Sequence, residues 1–99
     1  MNKELIEEFH NKMKNIYYDA KKEVKYNATR FFSMIEKYGG YETAKKLLVN
    51  NDNTQGFTTL FMLGRKDFTM EYLIVYDQKF HCLFSTEELL ICKQRLGVE

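Results

Sequence analysis

The opening 25 residues constrain the fold most. Leu5, Ile6, Phe9, Met13, Ile16, Tyr17, Ala20 and Val24 recur at steps of three and four, which draws one apolar stripe along an α-helix. Glu4, Glu7 and Glu8 sit at its start and Lys21, Lys22 and Lys25 at its end, the polarity that suits a helix dipole. A helix of roughly 23 residues would run about 35 Å. That is long for a chain of 99 residues, so one end is expected to project, to meet a partner or to pair with a second copy in a homodimer.

The stripe repeats in shorter pieces. Asn27 is placed to cap a second helix carrying Phe31, Phe32, Met34, Ile35 and Tyr38, and Gly39-Gly40 stops it, glycine tolerating the left-handed backbone that follows a helix end. Tyr41, Ala44, Leu47 and Leu48 point a third helix inward, with Lys45 and Lys46 outward. The run "NNDN" at 50–53 reads as a loop. Thr54 then offers a cap for "QGFTTLFML", whose apolar positions are Phe57, Leu60, Phe61 and Leu63, ended by Gly64. Thr69, with Glu71 in the first turn, caps the next helix. Ser85 with Glu88 three residues on forms a capping box ahead of Leu89, Leu90, Cys92 and Leu96.

The stretch "MEYLIVYDQKFHCLF", residues 70–84, admits two readings. Tyr72 to Tyr76 favour strand, and a hairpin at 72–84 would turn through Asp77-Gln78-Lys79. But the run does not alternate apolar with polar, and the turn lacks Asn-Gly or Asp-Gly. The caps favour a helix ending near Asp77, with "QKFHCLF" extended and packed. The expected fold is therefore an all-α bundle of five or six helices in a single domain over 1–99, with α+β as the alternative.

In order, "YNATRFFSMIEKYGGYETAKKLL", "GFTTLFMLGRKDFTMEYLI" and "KFHCLFSTEELLICKQRL" resemble a small helical module of uncharacterised bacterial proteins. Its pattern is Gly-Gly, Gly-Phe-x-x-Leu, Gly-Arg-x-Asp-x-Thr-x-Glu and Phe-x-x-Leu-Phe. The likeness covers about residues 26–96. It implies a fold signature and no established activity. Arg65, Asp67 and Glu71 match the Arg-x-Asp-x-Thr-x-Glu element and are expected to be structural residues of a turn, Arg65 bonding the last carbonyls of one helix and Asp67 accepting the free amides of the next.

Chemistry finds little purchase. His10, His81, Cys82 and Cys92 are the soft metal ligands, but they lack the close pairs a zinc site uses, and His81 and Cys82 are adjacent. The cysteines read as small buried hydrophobes. Glu7-Glu8 and Glu87-Glu88 fall in first helical turns, and no phosphate loop follows Gly39-Gly40. The expectation is a non-enzyme with no cofactor and no metal. There is no apolar run of membrane-spanning length and no signal-peptide start. With two cysteines, a cytoplasmic protein with reduced thiols is expected.

What remains is contact. Net charge is +1, but residues 12–46 hold nine basic against four acidic side chains, while 47–99 hold five against seven. Lys14, Tyr18, Lys21, Lys22, Lys25, Tyr26 and Arg30 fall in the basic part. Tyrosine anchors interfaces at low entropic cost, so these residues are the expected face for a protein partner. The protein is read as a small regulatory one, such as a phage-encoded inhibitor that masks a host defence nuclease. The same residues could instead track phosphates and stack bases, which makes nucleic-acid binding the alternative.

Overall fold

Helix α1 (Lys3–Val24) forms where the stripe predicts it and buries Phe9, Met13, Tyr17 and Ala20. The computed structural model describes residues 3–49 and 55–98. At 22 residues α1 is about 33 Å long. That lies within the molecule's 35 Å greatest extent, and α1 packs against α2 (Thr29–Tyr38), α3 (Gly40–Val49) and α5 (Met70–Tyr76). Leu5 and Ile6 near one end and Val24 at the other pack on the core clusters, so neither described end projects. Lys25 stops the helix with φ of 60°, a left-handed conformation that a side chain disfavours. The Tyr26 amide then reaches back to the Ala20 carbonyl at 3.2 Å.

Asn27 does not cap α2. Ala28 occupies the N-cap without a side-chain bond, and Asn27 Oδ1 accepts instead from the Tyr17 hydroxyl at 2.8 Å. Capping lost to a tertiary bond between residues ten apart. Gly39 ends α2 at φ 87°, as expected, but Gly40 has a separate task. A Cβ there would lie 2.7 Å from the His10 Cα, so only glycine lets α3 start hard against α1. The Gly40 amide, otherwise an orphan of the first turn, donates to His10 Nδ1 at 2.9 Å.

Helix α4 (Gln55–Met62) is followed by Gly64 at φ 75°; the expected loop 50–53 and the Thr54 cap lie outside the described residues. A 3-10 turn, Lys66–Phe68, leads to α5, where the Thr69 hydroxyl accepts from the Tyr72 amide as predicted. A longer 3-10 segment, Gln78–Leu83, precedes α6 (Thr86–Leu96). No strand occurs among the described residues, and the fold is all-α: six α-helices and two 3-10 helices there.

The extended reading of "QKFHCLF" is corrected for a packing reason. In a strand Phe80, Cys82 and Phe84 would share a face. In a 3-10 helix residues three apart eclipse, which buries Phe80 with Leu83 and turns Cys82 out to solvent. The expectation that both cysteines are buried holds for Cys92 alone.

The main core joins Phe9, Met13, Ile35, Leu48, Ile74, Phe80, Leu83, Phe84 and Cys92. The Phe9 ring meets Phe80 and Phe84 edge-on at 5.1 and 5.4 Å, a favoured arrangement of ring quadrupoles. A smaller cluster of Ala20, Leu60 and Phe68, with Val24 and Tyr26 against it, seats α4 on the end of α1.

Polar ties lock α6 to its neighbours. Ser85 and Glu88 form the full capping box. The same Glu88 oxygen takes the Lys45 ammonium at 2.7 Å, so Lys45 is drawn in from the outward position expected for it. Burial pushes the Glu88 carboxyl up, but Lys45 and the Ser85 amide overcome that and hold it below its ordinary range. Tyr41 donates its hydroxyl proton to the Leu83 carbonyl at 2.7 Å. Lys79 pairs with Glu8.

Arg65 and Asp67 hold the turn before α5 through each other, whereas Glu71 is drawn into a tertiary ion pair. Arg65 forks onto Asp67 at 3.1 and 3.2 Å and lies 4.0 Å above the Phe68 ring centre. Glu71 is buried and accepts from Arg95 Nη1 at 2.8 Å, while Arg95 Nη2 donates to the Leu47 carbonyl at 3.2 Å. The three matched residues therefore divide: two shape a surface turn, and one joins α5 to α6.

Candidate docking surface

The seven residues expected to meet a partner separate into two groups. Lys14, Tyr18 and Lys21 stand on one side of α1, where spacings of three and four make neighbours. Tyr17 stacks on Phe32 of α2 at 4.4 Å, and Tyr18 sets its edge against Tyr17 at 5.4 Å. Tyr18 remains 48% exposed. The Lys14 ammonium lies 6.0 Å from the Phe32 ring centre and 3.4 Å from a Glu36 oxygen, and Lys21 lies 5.9 Å from the Tyr17 ring centre. The result is an aromatic shelf edged by cations, a geometry that stabilises charge over π faces. Lys22 and Lys25 are exposed and form no ion pair among the described residues.

Tyr26 and Arg30 belong elsewhere. Tyr26 packs on the Ala20–Leu60–Phe68 cluster. Both line a cavity between the α1–α2 connection and the α4–α5 segment, so neither extends the shelf.

The sequence reading did not single out the other exposed feature. Phe61, Met62 and Leu63, at the end of α4, are 48%, 81% and 51% exposed. The helix seats Leu60 inward and sets Phe61 beside Phe57 at 5.8 Å. Three consecutive apolar side chains in solvent are uncommon unless they serve contact. A signal was present: an eight-residue helix cannot turn every apolar position inward. Because Leu60 rests on Ala20, this edge lies at the same end of the molecule as Lys21, Lys22 and Lys25.

Apart from the exposed Cys82 thiol, the other candidate metal ligands and nucleophiles are engaged in structure. His10 accepts from Gly40, and His81 Nε2 donates to the Val75 carbonyl at 2.9 Å. Burial, then the nearby Glu71 charge, push the Cys92 thiol up to about 12. A thiol so protonated is a poor nucleophile. Among the described residues no three His, Cys, Asp or Glu side chains gather as metal ligands, and no helix is long and apolar enough to cross a membrane.

No protein-family model matches this sequence, and no curated protein or solved structure matches it either.

Proposed function

We propose that this chain is a non-enzymatic docking protein of the bacterial cytoplasm. In this reading it binds another protein through the α4 edge, with the basic end of α1 beside it. The observation that carries the proposal is the exposed run Phe61-Met62-Leu63, three neighbours in solvent where the other exposed large apolar side chains, such as Val49, Tyr76 and Leu90, stand singly. Apolar anchors inside a charged rim are the usual anatomy of an interface. The fitting partner surface is an apolar depression bordered by acids, which Lys21, Lys22 and Lys25 would meet. Docking of this kind works by masking, as a phage-encoded inhibitor of a defence nuclease would.

Affinity capture from a bacterial lysate, run in parallel with the wild type and Met62→Asp, tests the proposal. A protein retained by the wild type and lost by the variant is expected, with retention weakening as salt rises. Identical captures, or none, would remove this reading.

The cation-edged shelf at Tyr18 favours a second reading, in which bases stack on the ring and Lys14 and Lys21 neutralise phosphate. Titration against single-stranded DNA at two salt concentrations decides it. Affinity that falls steeply with salt and is lost in Tyr18→Ala would support it; no binding at low salt would end it.

A further inference from the structure

We propose that the cavity at the α1–α2 connection is a binding site for a small amphiphilic carboxylate. Its volume is about 290 Å³, near the lower limit for ligand pockets. That suits one ring or a short chain, and it is too small for a lipid. Ile16, Leu47, Phe57, Leu60, Phe68 and Met70 give it apolar walls. An apolar group seated against these walls would leave water, which favours binding in proportion to the area buried.

The polar members of the wall restrict the guest further. The Tyr17 hydroxyl already donates to Asn27. The Thr69 hydroxyl donates to the Lys66 carbonyl at 2.6 Å and accepts from the Tyr72 amide. Glu71 is paired with Arg95. Apart from the Tyr26 phenol, the interior thus favours an apolar body. Arg30 differs. It is exposed, lines the cavity together with the exposed Asn27 and Thr29, and has no ion pair among the described residues. These three residues mark the mouth. A guanidinium there suits a planar oxyanion, which it can hold with two parallel N–H bonds. The surrounding basic excess raises the local concentration of such anions. The guest is therefore apolar within and carboxylate-headed at Arg30. The cavity shares Phe57 and Leu60 with α4 but does not include Phe61, Met62 or Leu63 of the exposed edge.

The test is calorimetric titration of the full chain with 4-phenylbutyrate, 4-phenylbutan-1-ol, 4-phenylbutylamine and acetate. Phenylbutyrate is expected to saturate one site and to raise Tm. Its affinity should exceed the alcohol's by about tenfold, the margin of one charge-assisted contact, with the amine weaker and acetate silent. Arg30→Gln should bring acid and alcohol level without changing the alcohol. Ala28→Phe, which fills the mouth, should abolish both. Its thermal melt reports whether it folds, and if it does not, the Arg30→Gln series alone decides. Unsaturable phenylbutyrate binding would overturn the proposal. So would acid, alcohol and amine of equal affinity that Arg30→Gln leaves unmoved.

Discussion

The two ends of this bundle are built on different terms. Around α5 and α6, rings meet edge-on, the capping box is complete, and a buried ion pair joins the helices. Around α4, three residues form the cluster, a cavity lies behind it, and three apolar side chains face solvent. The contrast separates roles. The main core, where α5 and α6 pack on α1, α2 and α3, holds most of the buried apolar side chains. The α4 end carries surface that folding alone does not explain.

The largest test of that contrast is Arg95→Met. It leaves Glu71 charged, buried and without its ammonium-like partner, which costs about 3–5 kcal/mol. Urea unfolding should show it, and Glu71→Leu combined with Arg95→Met should recover most of the loss. Recovery in the double variant, with none in either single one, would identify desolvated charge as the cause.

Next comes one chemical change made at both ends. Leu83→Ala strikes the main core and should cost about 4–5 kcal/mol, while Leu60→Ala should cost about 2–3, because α4 can settle into the space. Equal losses would erase the distinction.

A smaller effect concerns Glu88. Its folded carboxyl lies below the ordinary value of 4.5, so its contribution is present above that value and disappears as pH falls through the depressed one. Glu88→Gln should therefore cost about 1 kcal/mol at neutral pH. Wild type and variant should converge in acid, as thermal melts across pH would show. The smallest effect belongs to Met62→Ser, which should move stability by no more than about 0.5 kcal/mol. A greater loss would mean that the α4 edge is part of the core after all.

Local signals in the sequence located most of the helices. The stripe from Leu5 to Val24, the Thr69 cap and the Ser85–Glu88 box each predict an element within a few residues of its observed place. These rest on neighbours in the chain, which a sequence displays directly. What escaped depended on residues distant in sequence: His10 serving the Gly40 amide, Asn27 drawn to Tyr17, Glu71 to Arg95. The 3-10 form of 78–83 escaped too, because Phe9 on another helix decides which of its side chains turn inward. The candidate surface was half legible. Lys14, Tyr18 and Lys21 share a face by periodicity alone, but a count of apolar residues cannot say which of Phe57, Leu60, Phe61 and Leu63 find a neighbour.

The two thiols give the molecule a practical asymmetry. Cys92 is sealed and holds its proton, whereas Cys82 stands in solvent. A maleimide dye or photocrosslinker added near neutral pH should attach at one point per chain, and any oxidative link between two copies should run through that same sulfur. The native sequence thus comes with a single ready handle, from which a bound companion could be trapped and its distance measured without introducing a new cysteine.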